Sequence, residues 1–121
     1  MPHALIVDDV TVTRYTCKTC LDELGFSSDE AEDATMALEK VRSKKPDVIL
    51  LDWHLRKDSG LDIIDQLRQK AGAVSIVVMS GVEGEENQRE ALNAGADGFT
   101  AKPTTTQSLR DALNKAGVRM S

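Results

Sequence analysis

The chain has 121 residues, 40% of them hydrophobic and 29% charged, and its 15 Lys+Arg against 20 Asp+Glu leave a formal net charge of −5. That length makes a single domain over residues 1–121, with a core able to bury roughly two-thirds of the unfolded surface. The apolar run Val48–Leu51 is far short of the ~18 residues of a membrane span, the opening MPHALIVDDV has no signal-peptide pattern, and the acidic balance excludes an electrostatic footprint for nucleic acid or anionic membrane, so a cytoplasmic protein is expected.

Taken in order, short apolar runs alternate with segments of helical period five times. His3–Val7 reads as a buried strand that ends at Asp8-Asp9. Thr11–Leu24 follows as a helix with positions 13, 17, 20, 21 and 24 on one stripe, closed by Gly25. SSDEAED is the weakest strand by composition, and its polarity suits a sheet edge. Ala34–Ser43 is a second helix with Ala37, Leu38 and Val41 inward, and Pro46 precedes DVILLD, a β-branched run that reads as a central parallel strand. A loop, WHLRKDSG, leads to a helix over Leu61–Lys70 with Leu61, Ile64 and Leu67 inward. VSIVVMS is the fourth strand, GVEGEE a flexible loop, Asn87–Ala94 a fourth helix stopped by Gly95, and GFTAK a short fifth strand. The Thr-rich TTTQ supplies N-cap candidates for a last helix that ends near Gly117. Strands and helices alternating at this spacing predict an α/β doubly wound sandwich, a parallel sheet with helices on both faces.

Cys17 and Cys20 form a C-x-x-C. Such a pair raises a redox or half-zinc-site reading. Both cysteines, however, fall on the apolar stripe of the first helix, no second pair exists, and free cysteine is commonly a buried hydrophobe. Core packing is the expected role.

Ligands of open α/β sheets bind beyond the carboxyl ends of the strands. Here those ends carry Asp8 and Asp9, Asp52, Ser80 and Lys102. Three converging carboxylates repel one another, and each would be raised in pKa unless a cation joined them. Hard oxygen ligands with space for water suit Mg²⁺. Lys102 and Ser80 would then be free to contact a phosphoryl oxygen, as a point charge and a rotating O–H donor.

These residues carry a resemblance. Asp8-Asp9, Asp52, Ser80-Gly81 and Lys102-Pro103, each after its strand, resemble the receiver domain of two-component response regulators. AEDATMALE, LDWHLRKDSGLDII and NAGADGFTAKP resemble its stand-alone chemotaxis type in particular, and the likeness runs from about residue 4 to 115. The resemblance implies a flavodoxin-like (βα)5 fold with strand order 2-1-3-4-5. It implies that Asp52 takes a phosphoryl group from a histidine kinase or phosphotransfer protein. Asp9 would bind Mg²⁺ directly and Asp8 mainly through water, with Asp52 and the backbone carbonyl of His54 completing the ligands. Ser80 and Phe99 would be the switch, and the Gly81–Glu86 loop would carry its movement to a protein-binding face on the fourth helix, fifth strand and fifth helix. Such a chain would be a monomeric binding module rather than an enzyme, supporting only its own phosphorylation and dephosphorylation. A phosphorelay shuttle and a receiver fragment of a larger regulator are alternatives. An aspartyl-phosphate phosphohydrolase fits less well, because here the acidic pair and the nucleophile lie on different strands.

Arg56, Asp58 and Thr104 depart from the family pattern, which commonly has proline, an apolar residue and a bulky apolar residue there. His54 and Val82 are candidates for tuning the lifetime of the acyl phosphate. Trp53 reads as a packing residue at the mouth of the site and, as the only tryptophan, as a reporter.

Overall fold

Strands form where both faces of an extended segment can be buried. β1 (His3–Val7), β3 (Val48–Asp52) and β4 (Ser75–Ser80) are apolar along almost their whole length, and all of their residues but Ser75 are buried. They form the centre of a five-stranded parallel sheet, flanked by β2 (Ser27–Ala31) and β5 (Gly98–Ala101), in the order β2-β1-β3-β4-β5. The computed structural model describes residues 2–53, 60–81, 85–102 and 104–118, without the side chains of residues 60–61 and 85–87.

Alternation along the strands divides the core in two. Leu5, Val7, Ile49, Leu51, Ile76 and Val78 face α2 (Ala34–Ser43), α3 (Gly60–Ala71) and α4 (Glu85–Asn93). Ala4, Ile6, Val48, Leu50, Val77 and Met79 face α1 (Thr11–Glu23) and α5 (Thr106–Lys115). The layers are those of the flavodoxin-like sandwich expected from the sequence. At the end of the sheet away from the acidic residues, Arg68 of α3 donates to the carbonyls of Val74 and Gly95 and to Asp97 Oδ2, which also accepts from Ile76 N.

Helix ends follow local chemistry. Asp33 caps α2 by accepting from Met36 N at 2.8 Å. Gly25 takes φ +85°, letting Phe26 N reach back to Leu21 O at 2.9 Å and close α1. Thr105 Oγ1 accepts from Ser108 N while Ser108 Oγ accepts from Thr105 N, a reciprocal cap for α5. Thr105→Ala is therefore expected to cost about 1 kcal/mol in a denaturant melt, with Thr105→Asn close to wild type.

Several element boundaries differ from the sequence expectation by one or two residues. The fourth helix starts at Glu85 rather than Asn87, since two glutamates suit the positive N-terminal end of a helix; Glu85 and Glu86 thus belong to it and not to the loop. The first five residues of SSDEAED do form an edge strand, and three of their polar side chains have partners: His3 Nδ1 lies 2.8 Å from Ser27 Oγ, His3 Nε2 lies 3.3 Å from Asp29 Oδ2, and Arg14 Nε lies 3.0 Å from Glu30 Oε1. On α3, Ile64 and Leu67 are buried as expected and Ile63 joins them, while the Leu61 side chain lies outside the described residues.

Candidate functional site

The sheet order reverses between β1 and its neighbours β2 and β3, which opens a crevice at the carboxyl ends of the strands. Asp8 and Asp9 follow β1 there, Asp52 ends β3, Ser80 ends β4, and Lys102 follows β5, its N–H donating to Ser80 O at 2.8 Å. Asp8, Asp52 and Ser80 are buried, with Asp8 fully so, and Asp9 is half-buried. One oxygen from each of Asp8, Asp9 and Asp52 lies within 4.8 Å of the others. The structure thus brings together five of the residues expected from the sequence.

Lys102 Nζ donates to Asp8 Oδ2 at 2.8 Å and lies 3.2 Å from Asp52 Oδ1. Lys102 thus bridges two of the acids, whose buried charge demands a counterion. Asp8 Oδ1 accepts from Val10 N at 2.8 Å, and Asp8 N donates to Ala31 O at 3.0 Å. Burial raises the Asp8 carboxyl above its ordinary value and the Asp52 charge adds to this, against the lowering pull of Lys102 and Val10 N–H. Burial also pulls Lys102 down, but its bond to Asp8 and the charges of Asp52 and Asp8 outweigh it and leave the ammonium raised.

A divalent cation fits this donor set. Oxygens about 2.1 Å from an octahedral Mg²⁺ lie ~2.9 Å apart when adjacent and ~4.2 Å apart when opposite, so three oxygens already within 4.8 Å need little closure.

The remaining expected residues are distributed as follows. Phe99 is partly buried, pairs in register with Val78 and packs on the core face shared with α4. Trp53 is buried, and its main-chain N–H donates to Met79 O at 2.9 Å. Thr104 is buried, its hydroxyl 3.9 Å from the Met79 thioether, so a polar residue is accommodated where the family favours bulk. His54, Arg56, Asp58 and Val82 lie outside the described residues, as does the Gly81–Glu86 loop apart from Gly81 and the start of α4.

Cys17 and Cys20 are buried in the α1 core face, with Cys17 Sγ 3.4 Å from Met79 Sδ. Burial pushes the Cys17 thiol up from 9.0 to about 11, the opposite of a reactive thiolate. Because the folded value is the higher one, its contribution to stability is complete below pH 9.0 and is lost as pH rises toward about 11. Stability is expected to fall by about 2–3 kcal/mol across that window, less in Cys17→Ala, as read by denaturant melts at stepped pH. Thiol labelling at pH 8 is expected to be slow until the chain unfolds.

Two features were not read from the sequence. Arg14 is buried on α1 and donates to the Asp8 carbonyl. Its signal was present, since position 14 lies one helical turn before Cys17 on the same stripe. Val10, Val12 and Tyr15 are exposed, and a cavity of about 300 Å³ is lined by Val12, Thr13, Thr16, Lys102 and Thr104. Among the described residues, no helix is long and apolar enough to cross a membrane.

Residues 4–114 match the family model of the response regulator receiver domain. The chain is 33% identical over 120 residues to the chemotaxis protein CheY of Pseudomonas aeruginosa, covering 97% of each. It is 35% identical over 116 residues to the KDP operon transcriptional regulatory protein KdpE of Escherichia coli, covering 96% of this chain but only about half, 51%, of that relative. A response regulator from Burkholderia pseudomallei, solved with a phosphorylated aspartic acid, a calcium ion and citrate, superposes with a TM-score of 0.84 at 30% identity over 98% of this chain and 71% of that one. A parallel sheet that gathers three acids and a lysine at its reversal point, in a sequence matched from residue 4 to 114, makes this chain a member of the response regulator receiver domain family.

Proposed function

We propose that this chain is a phosphorylation-controlled signalling module in which Asp52 accepts a phosphoryl group with Mg²⁺ held by Asp8, Asp9, Asp52 and the His54 carbonyl. The observation that carries the reading is the clustering of three carboxylates within 4.8 Å under the ammonium of Lys102. Support also comes from the Burkholderia pseudomallei relative, whose structure contains a phosphorylated aspartic acid and a metal ion.

Asp52 attacks phosphorus through a carboxylate oxygen, forming a P–O bond as the donor's P–N or P–O bond breaks and the leaving group takes the electron pair. A bound Mg²⁺ neutralises charge on nucleophile and phosphoryl group. Lys102, already 3.2 Å from Asp52 Oδ1, is placed to follow the charge from carboxylate to phosphoryl oxygen. Acyl phosphate adds about two negative charges and new acceptor oxygens. Ser80 turns its hydroxyl toward one of them, and Phe99 on the neighbouring strand follows the space this vacates. The face formed by α4, β5 and α5 then changes its affinity for a protein target. Upstream, a histidine kinase or phosphotransfer protein supplies the group. Each chain carries one phosphoryl group rather than turning over substrate.

A second reading, a receiver that works as one part of a longer regulator, is favoured by the KdpE relative, of which this chain spans about half. The open reading frame around residues 1–121 distinguishes the two.

The test is Trp53 fluorescence during an Mg²⁺ titration, followed by beryllofluoride as a phosphoryl mimic. A change with Mg²⁺ and a saturable second change are expected. A wild-type protein that binds Mg²⁺ but ignores both beryllofluoride and a small acyl phosphate would instead be a receiver fold used as a constitutive binding module.

A further inference from the structure

Arg14 is a charged side chain in the core layer, only 8% exposed. Its donors spread over three elements. Nη1 donates to the main-chain carbonyl of Asp8 at 2.7 Å, Nε to Glu30 Oε1 on β2 at 3.0 Å, and Nη2 to Thr11 Oγ1 at 3.3 Å, while Glu32 Oε1 lies 3.9 Å from Nη2. None of the chemistry proposed above uses this side chain.

The carbonyl it holds belongs to the peptide that joins Asp8 to Asp9. A peptide unit is planar, so fixing its oxygen fixes the plane and with it the direction in which Asp9 leaves the backbone. Asp8 is held independently, its carboxylate by Lys102 and Val10 N and its own N–H by Ala31 O. Asp9 is the least buried of the three acids, and its main chain begins at that peptide. Electrostatically the arginine is a liability, because a guanidinium this close repels an incoming cation. Glu30 and Glu32 offset that charge from the far side.

We propose that Arg14 is a positioning residue for the divalent cation. Its bond to the Asp8 carbonyl aims the Asp9 carboxylate at the ion, and Glu30 with Glu32 neutralises the guanidinium so that its charge does not oppose binding. The inference rests on the reading of Asp8, Asp9 and Asp52 as a cation site.

The two roles open to Arg14 predict opposite signs. If it merely joined α1 to β2, deleting its positive charge would leave Mg²⁺ affinity unchanged or raise it. If it positions Asp9, deletion weakens Mg²⁺ binding. Wild type, Arg14→Met, Arg14→Lys and Glu30→Gln are titrated with Mg²⁺, followed by Trp53 fluorescence and by the Mg²⁺-dependent rise in melting temperature. Arg14→Met is expected to bind Mg²⁺ about tenfold more weakly, as for other groups that orient metal ligands. Arg14→Lys recovers part of the loss through a single bond to the carbonyl. Glu30→Gln binds more weakly at low ionic strength and approaches wild type at high salt. With a small acyl phosphate as donor, the Mg²⁺ needed for half-maximal phosphorylation rises in Arg14→Met while the rate at saturating Mg²⁺ falls far less.

Unchanged or tighter Mg²⁺ binding by folded Arg14→Met overturns the inference. If that variant does not fold, wild-type affinity in both Arg14→Lys and Glu30→Gln overturns it instead. A wild-type protein without any saturable Mg²⁺ response overturns the cation-site reading and the inference with it, a result distinct from either of those.

Discussion

Asp52→Asn is expected to abolish covalent phosphorylation, with no acyl phosphate formed under conditions that load the wild-type chain stoichiometrically. The amide matches the carboxylate in shape but offers no anionic oxygen to attack phosphorus. It also removes one of three clustered acids. Divalent-cation affinity should therefore fall by on the order of a hundredfold, since even groups that only orient metal ligands are worth about 10–100-fold. Folding should survive: the Asp52 charge is among the causes that raise the Asp8 carboxyl, so its loss relieves repulsion and leaves the metal-free protein at least as stable. Intact mass after incubation with Mg²⁺ and a small acyl phosphate reads the first effect, and a melt in EDTA reads the last. A wild-type mass gain in the variant would assign the phosphoryl group to another residue.

Lys102→Met is expected to have the next largest effect, on stability as well as on transfer. Asp8 is fully buried and Lys102 Nζ is its charged partner at 2.8 Å. Removing one member of a buried pair typically costs about 3–5 kcal/mol; with a lysine side chain 21% exposed to screening solvent, about 2–3 kcal/mol at neutral pH in EDTA is the expected loss. The dependence on pH has a definite sign. The folded Asp8 carboxyl is raised above its ordinary value of 3.8, so protonation favours the folded state. Its favourable contribution is complete below 3.8 and is lost as pH rises through the folded value. Without Lys102 that folded value moves higher still. The variant's deficit should therefore be small in acid and grow toward neutral pH, and saturating Mg²⁺ should recover part of it by supplying the missing positive charge. An equal deficit at pH 4 and pH 7 would assign the loss to packing of the lysine stem. Slower phosphorylation should remain even when Mg²⁺ restores stability, because the ammonium beside Asp52 is still gone.

Much of the architecture was readable because it is set by local patterns. HALIV, DVILLD and VSIVVMS are apolar on both faces, which only a central parallel strand satisfies. Gly25, Gly95 and Gly117 mark the ends of three helices and take positive φ. Thr105 stands within the Thr-rich stretch expected to cap α5. The early start of α4 is not legible in the sequence because the two glycines of GVEGEE compete with its glutamates, and boundaries are where such competition is closest.

The order of these patterns along 121 residues determined the doubly wound sheet and put Asp8, Asp9, Asp52, Ser80 and Lys102 at the carboxyl ends of their strands. It did so because strand phase and strand ends are local properties, and parallel connections have one favoured hand. Tertiary structure alone decided how those groups are paired. Lys102 reaches Asp8 across 94 positions of sequence, and Arg14 reaches Glu30 across 16. The same contacts decided that the polar segment Ser27–Ala31 is a strand at all, through His3, Asp29 and Glu30. Burial makes an unpaired charge expensive, so the partner of each buried ion is chosen by what the folded chain brings within reach, and no period in the sequence encodes that distance.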